Sequence, residues 1–178
     1  MTMTTANSNI EVLEPLIQSV PVVFASPHSG LNYTQAFIES SNLSPRQLRR
    51  SEDAFVNEIF ASAPEFGAPF LLAHFPRAFV DPNRRAFELD PTMFSDPLPS
   101  YVITKTSRIM AGLGTIPRVV SIGEDIYRKR LTFEEAKQRI EDNYVPYHDT
   151  LSSLLNQTRA KFGIALLIDC HSMPSTDT

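Results

Sequence analysis

The chain of 178 residues has a single cysteine, Cys170, and no tryptophan. One cysteine excludes a disulfide within the chain and is typical of a reducing compartment. Its apolar runs are short, and even the clearest of them, residues 164–168, falls far below the length that a bilayer requires. Lys and Arg number 16 against 20 Asp and Glu. This balance, without a basic run, argues against nucleic acid and membrane surfaces as partners.

The beginning of the chain lacks the marks of a signal peptide. Residues 1–9 are small and polar, without a basic start or an apolar centre. We therefore expect a flexible tail over residues 1–14 and a cytoplasmic protein. Residues 15–178 are expected to form one domain, since their length suits one core and no repeat or linker marks a second.

Short apolar runs alternate with segments of helical pattern. The first run, residues 20–26, is rich in β-branched side chains and stops at a Pro-His-Ser-Gly turn, which predicts a buried strand. Further strands are predicted at residues 70–73, 78–80 and 164–168. Continuous apolar strands between helices indicate an α/β domain with a largely buried sheet.

Two helices have clear start signals. Ser44, followed by Pro45 and Gln47, combines an N-cap with a capping box, and the apolar pattern behind it extends to Ile59. Thr132 with Glu135 begins the longest helix, which should run to about residue 161 and kink at Pro146.

Two histidines follow predicted strands in the same way. His28 comes after the first strand and His171 after the last. In open α/β sheets, ligands bind beyond the carboxyl ends of the strands, and neutral imidazole is a favoured zinc ligand. The two side chains could therefore meet on one metal ion. The alternative is that each histidine only caps its strand through a hydrogen bond.

A third metal ligand should be a carboxylate, and the helix after Ser44 offers Glu52 and Asp53. A helical projection places Glu52 on the apolar face and Asp53 at its edge. A carboxylate among apolar side chains is costly unless a metal or a cation meets it. Alternatively, a helix beginning near Ser51 would make both acids favourable residues of a first turn.

Arginines surround the predicted strand at residues 78–80. Arg77 precedes this strand, and Asn83, Arg84 and Arg85 follow it. Arginine binds carboxylates through a planar two-pronged fork, which suits recognition of an acidic substrate or polarisation of a carbonyl. Ordinary surface charge is the competing explanation for such a run.

These motifs together resemble the N-formylglutamate amidohydrolase family. The similarity is ordered along the chain from about residue 22 to residue 175, and it is specific only when the motifs are taken together. It is carried by Ser-Pro-His-Ser-Gly at 26–30, Ser-Glu-Asp-Ala-Phe at 51–55, Pro-Arg-Ala-Phe-Val-Asp-Pro-Asn-Arg at 76–84, Gly-Leu-Gly-Thr-Ile-Pro-Arg at 112–118, Pro-Tyr-His at 146–148 and Asp-Cys-His-Ser-Met-Pro at 169–174.

The resemblance implies a phosphorylase/hydrolase-like α/β fold, a three-layer sandwich around a central mixed sheet. It also implies zinc-dependent hydrolysis of N-formyl-L-glutamate, or a related N-acyl acidic amino acid, to formate and glutamate, a step of histidine breakdown. By the same resemblance, His28, Asp53 and His171 would bind the zinc ion. Asp53 is preferred here over Glu52 because related sequences keep an aspartate at this place.

The resemblance also assigns roles to the arginine-rich segment. Asp81, Asn83 and Arg84 match an Asp-x-Asn-Arg element that holds the substrate carboxylate in aspartoacylase-like enzymes. Arg77 would lie near the scissile carbonyl.

One expected part of the site is not found in the sequence. The resemblance places the catalytic glutamate well beyond the second histidine, and the chain ends shortly after His171. C-terminal strands of the sheet are expected to be missing as well. Glu52 is the substitute that we consider for the general base. Two other possibilities stay open: a non-catalytic binder of metal or an acidic metabolite, and a subunit that pairs with another chain, a second copy included, to complete its sheet.

Overall fold

The computed structural model describes residues 3–7, 9–120 and 123–173. Within these residues, five strands form one sheet, and the chain also contains six α-helices. The strands are β1 (Met3–Asn7), β2 (Ile10–Glu14), β3 (Val22–Ser26), β4 (Phe70–Ala73) and β5 (Leu166–Asp169). The helices are α1 (Gln35–Ser40), α2 (Pro45–Leu48), α3 (Val56–Ile59), α4 (Ser107–Met110), α5 (Phe133–Arg139) and α6 (Val145–Phe162).

The sheet is mixed, with the strand order β1-β2-β4-β3-β5. β3 lies in the middle of a parallel set, paired with β4 on one side and β5 on the other. β2 joins β4 in antiparallel orientation, and β1 pairs antiparallel with β2. The predicted α/β class with a mixed sheet is therefore confirmed.

The expectation of a flexible tail over residues 1–14 is wrong for β2. This strand pairs with β4, and its side chains Ile10 and Val12 are buried in the main core. The alternation of Ile10, Val12 and Glu11 fits a strand with one covered face. Polar residues precede this short alternating pattern, and a polar segment at a chain end is typical of a tail rather than of a strand.

Two other predictions fail for local reasons. Residues 78–80 form a turn rather than a strand, in which the N–H groups of Phe79 and Val80 donate to the carbonyl of Pro76. The helix predicted from Ser44 to Ile59 ends at Leu48 and continues as a 3₁₀ turn, Arg49–Ser51. Its capping box at Ser44 and Gln47 is present as predicted.

The long helical segment after Thr132 also begins with the predicted capping box. Between α5 and α6 the chain forms a π-helical turn, Ile140–Tyr144, directly before Pro146. Pro146 has no N–H to donate, and the wider turn accommodates this missing bond without ending the helical segment. Gly163 then terminates α6 in the left-handed conformation at φ 78°.

The strand near the end of the chain was expected to be buried, but β5 lies at one edge of the sheet. Leu166 is 54% exposed and Leu167 is 36% exposed. Successive strand residues point to opposite faces, so apolar side chains are open on both sides of β5. Such a pattern is typical of a strand inside a sheet rather than at its edge.

The main core lies between the sheet and the long helical segment. Val23, Ala25 and Leu71 from the sheet pack in one cluster with Ile140 and Tyr147 from the helical segment. Among the described residues, no helix combines the length and the apolar character needed to cross a bilayer.

Candidate metal centre and cleft

Two parallel strands bring the two predicted histidines together. β3 and β5 are neighbours, and Ala25 pairs with Asp169 near their carboxyl ends. His28 and His171 follow these positions, and their ring centroids lie 4.9 Å apart. The adjacency of the strands, which the sequence alone does not state, creates this pair.

Asp53 joins the two histidines. Its Oδ2 atom lies 3.3 Å from Nδ1 of His28 and 2.8 Å from Nδ1 of His171. One ligand atom from each of the three residues falls within 4.8 Å of the others. The sequence prediction named these three residues as metal ligands, and the structure brings them to one point.

The backbone holds Asp53 in this position. Its N–H donates to the carbonyl of His28 at 3.1 Å, and the hydroxyl of Ser29 donates to the carbonyl of Asp53 at 3.1 Å. Gly30 follows directly, and a Cβ atom there would lie 2.1 Å from the carbonyl oxygen of Phe75. Glycine is therefore required for the His28 loop to approach residues 74–75 so closely.

Each histidine is also held from behind by a second carboxylate. Oδ1 of Asp81 lies 2.8 Å from Nε2 of His28, and Oδ2 of Asp169 lies 2.9 Å from Nε2 of His171. When a metal binds, a carboxylate on the far nitrogen can keep the imidazole proton there, so that the near nitrogen, here Nδ1, would offer its lone pair to the metal. Sequence reasoning missed this role for both aspartates.

The donor set fits zinc. Two imidazole nitrogens and one carboxylate leave a fourth position open, as in catalytic zinc sites. Tetrahedral zinc with bonds of about 2.0–2.1 Å places its ligand atoms about 3.3 Å apart, close to the observed 3.3 and 2.8 Å separations around Asp53.

The electrostatics of the cluster favour an ionised Asp53. Burial would raise the pKa of its carboxyl group, but hydrogen bonds from His28, His171 and Ser172 outweigh burial and lower it to about 2. For His171, burial would lower the pKa, whereas hydrogen bonds with Asp169 and Asp53 raise it. The buried carboxyl of Asp81 likewise keeps its pKa below the usual value because His28, Arg77 and Arg84 outweigh its burial.

Glu52 does not take the position that the helical projection suggested. Its carboxylate accepts from Nε of Arg49 at 3.1 and 3.2 Å, and its side chain is only 2% exposed. Because α2 ends at Leu48, neither acid lies on a helical face or in a helical first turn. Both sequence alternatives for this pair are therefore wrong, and Asp53 rather than Glu52 reaches the histidines.

The segment that was expected to hold the substrate carboxylate also contacts the histidines. Asp81 contacts His28, and Nδ2 of Asn83 donates to Asp169 at 2.9 Å, beside His171. Arg84 donates to the carbonyls of Leu113 and Asn83 and lies 3.3 Å from Asp81. Asn83 and Arg84 thus form these hydrogen bonds with other residues of the protein.

A cleft of about 470 Å³ opens beside the cluster. Its charged wall contains Asp53 and Asp81 from the site, together with Glu52, Arg77 and Arg50. Arg77 donates through Nε to Asp81 at 3.2 Å, so it lies close to the metal candidates. The apolar wall consists of Leu113, Pro117, Val119 and Met173.

The molecule is thus an α/β protein with a histidine–aspartate cluster at the carboxyl ends of its parallel strands. The family model for N-formylglutamate amidohydrolase matches residues 20–178. The chain therefore belongs to the N-formylglutamate amidohydrolase family.

Relatives and solved structures agree with this assignment. The chain is 30% identical over 167 residues to an N-formylglutamate deformylase of Pseudomonas aeruginosa and 29% identical over 158 residues to that of Pseudomonas putida. These matches cover 93% and 88% of the chain but 56% and 53% of the relatives. The chain therefore spans little more than half the length of these curated relatives.

The fold is shared with a crystal structure of N-formylglutamate amidohydrolase from Ralstonia eutropha JMP134. The TM-score is 0.88 at 31% identity, covering 96% of this chain and 60% of that one. The gene product Atu2144 of Agrobacterium tumefaciens matches with a TM-score of 0.65 at 19% identity, over 94% of this chain and 57% of that one. The second likeness concerns the fold alone.

Proposed function

We propose that the chain catalyses the hydrolysis of N-formyl-L-glutamate, or a related N-acyl acidic amino acid, to formate and glutamate, through a water molecule activated by a bound metal ion. The observation that carries this proposal is the convergence of His28, Asp53 and His171 beside an open cleft. Zinc is the proposed cofactor, since two imidazoles and a carboxylate with an open fourth position suit a catalytic zinc ion.

When bound, zinc would lower the pKa of a water molecule to about 7 and polarise the substrate carbonyl. The protein's own task is to hold the ligands in place. Asp81 and Asp169 keep the two Nδ1 atoms directed at the metal position. Arg77, fixed by Asp81, would place a positive charge beside the scissile carbonyl and stabilise the oxyanion.

The cleft suits a small amino-acid derivative. Its apolar wall can cover the methylene groups of a glutamyl side chain, while its arginines offer charge for carboxylates. These are proposals for binding, as is the earlier assignment of Asn83 and Arg84 to the substrate carboxylate. The internal contacts of those two residues favour a supporting role.

The general base is not assigned to Glu52. Both oxygens of its carboxylate accept from Nε of Arg49, and its side chain is only 2% exposed, so the carboxylate is occupied by this ion pair. The family resemblance places the base beyond His171, and that assignment stays a prediction. Completion of a three-layer sandwich by further strands beyond β5, and a place in histidine breakdown, also stay predictions.

The direct test is hydrolysis of N-formyl-L-glutamate by the 178-residue chain, with stoichiometric zinc and with a chelated control. We expect zinc-dependent turnover that is abolished in His28→Ala and His171→Ala. His74→Ala is a matched control, because His74 pairs with Glu11 at a distance from the cluster. Unchanged turnover in both site variants would overturn the proposal.

A second candidate function is binding without catalysis. It is favoured by the fact that the described ligand cluster is complete while Glu52 is held by Arg49. A folded chain that binds zinc and glutamate but releases no formate would establish this alternative.

A further inference from the structure

One arginine of the cleft, Arg50, has no ion-pair partner among the residues that the structure describes. Five charged side chains line the cleft: Arg50, Glu52, Asp53, Arg77 and Asp81. Glu52 is paired with Arg49, Asp53 with the histidines, and Arg77 with Asp81. Among the described residues, Arg50 makes no ion pair and no side-chain hydrogen bond, so its guanidinium keeps all its donors available.

Arg50 is also well anchored through its backbone. It lies in the 3₁₀ turn Arg49–Ser51, directly before the segment that delivers Asp53. The ion pair of Arg49 with Glu52 and the hydrogen bond from the N–H of Glu52 to the carbonyl of Arg49 close this turn. The position of Arg50 is therefore tied to that of the metal candidate Asp53, with a spacing of three residues.

The two cleft arginines occupy different depths. Arg77 contacts Asp81, which in turn contacts His28, so Arg77 lies beside the metal ligands. Arg50 is exposed and lies at the rim. In an N-acyl glutamate the α-carboxylate is close to the amide, whereas the distal carboxylate is separated from it by methylene groups. Arg77 is thus suited to the reacting end of such a substrate, and Arg50 to the other.

We propose that Arg50 binds the distal carboxylate of the substrate and makes the site selective for acidic over neutral N-acyl amino acids. This inference rests on the proposed function and names its substrate class. A guanidinium fork matches a carboxylate in a two-pronged arrangement, which an amide cannot reproduce. The apolar wall of Leu113, Pro117 and Val119 would cover the methylene groups between the two ends of the substrate.

The test compares N-formyl-L-glutamate with N-formyl-L-glutamine, which differ only at the distal group. For the zinc-loaded chain, kcat/KM should favour the glutamate derivative. Arg50→Gln should reduce this preference about 10- to 100-fold, mainly through KM, because a charge-assisted hydrogen bond contributes to binding rather than to the chemical step. Arg50→Lys should restore part of the preference, since it keeps the charge without the fork.

Arg46→Gln is the matched control. Arg46 lies in α2, is exposed, and is absent from the cleft wall. The control removes the same charge and should leave the preference unchanged. An equal loss in both variants would mean that only the overall charge matters, and an unchanged preference in Arg50→Gln would equally overturn the inference.

Calorimetric binding of L-glutamate and L-glutamine separates this inference from the proposed function. A chain without turnover that prefers glutamate, and loses that preference in Arg50→Gln, would support the role of Arg50 while contradicting catalysis. If the chain shows turnover and Arg50→Gln leaves the preference for glutamate unchanged, only the role of Arg50 is contradicted. If the chain shows no turnover and binds neither compound, both proposals are refuted.

Discussion

The Oδ1 atom of Asp81 lies 2.8 Å from Nε2 of His28, on the ring nitrogen opposite the one that faces Asp53. Asp81 was predicted to bind the substrate carboxylate, and this contact gives it an additional position behind a candidate metal ligand. The contact also links two segments of the chain that are distant in sequence.

Asp81→Asn should weaken zinc binding about 10- to 100-fold without abolishing it, because an amide orients the imidazole less strongly than a carboxylate. Asp53→Asn, which changes a direct ligand candidate, should cause a larger loss. Competition with a chromogenic chelator measures both affinities. Asp125→Asn, an exposed position near Arg118, is the control. Equal zinc affinity in Asp81→Asn and the unmodified chain would contradict the supporting role.

Arg84→Met should lower the free energy of unfolding by about 2–4 kcal/mol, because it removes buried donors to two carbonyls and leaves Asp81 with fewer partners. Urea unfolding of the metal-free chain measures the change. Arg50→Met, at an exposed position, should change stability by less than about 0.5 kcal/mol. A raised KM with unchanged stability in Arg84→Met would instead favour the substrate role that the sequence suggested.

Asp90 gives a pH-dependent contribution far from the cluster. Burial would raise the pKa of Asp90, but hydrogen bonds from Thr92 and Arg118 outweigh it and lower the pKa. A lowered folded-state pKa stabilises the protein above the unfolded value of about 3.9, and the contribution disappears as pH falls through the folded value. Asp90→Asn keeps an acceptor for Thr92 and should cost about 1 kcal/mol at pH 7.

Urea midpoints of the unmodified chain and Asp90→Asn should therefore differ at neutral pH and converge as the pH is lowered below about 4. Asp125→Asn, which is exposed but contacts the same arginine, should show little effect at any pH. If the two urea midpoints differ by the same amount at every pH, the substitution acts through lost packing rather than through the lost charge of Asp90.

The edge of the sheet at β5 should promote self-association. Among the described strands none pairs with its outer side, and Leu166 and Leu167 are exposed there. An unprotected apolar edge strand pairs readily with another chain. We expect concentration-dependent oligomers in sedimentation velocity, reduced by Leu166→Lys. Leu16→Lys, at a loop position that is also exposed, should have no effect. A monomer at all concentrations would contradict this expectation.

Phe55 is in the left-handed region at φ 65°, two positions after Asp53. This conformation costs about 1–2 kcal/mol for a residue with a Cβ atom. Phe55→Gly should therefore raise the free energy of unfolding by about 1 kcal/mol, because the side chain is 65% exposed and contributes little packing. Thermal and urea unfolding of Phe55→Gly and the unmodified chain measure this difference in stability. A destabilised variant would show that the aromatic ring has a packing role.

Much of the fold was readable from local patterns. The capping boxes at Ser44 and Thr132, the strands at β3 and β4, and the termination at Gly163 follow from residues close together in the chain. The errors occurred where local signals were weak. Residues 78–80 have a strand composition but close as a turn behind Pro76, and β2 is preceded by polar residues that suggested a tail.

The sequence by itself determined which side chains could form a metal site, because strand-end histidines and a neighbouring carboxylate pair are local motifs. Only the tertiary structure showed that Asp53, and not Glu52, contacts the two histidines, because the helix ends at Leu48 and the helical projection no longer applies. It also placed Asp81 and Asn83 behind the histidines and, among the described residues, left Arg50 without an ion-pair partner. The physical reason is that the partner of a side chain depends on how segments distant in sequence pack together. No local sequence pattern specifies the distance between such segments.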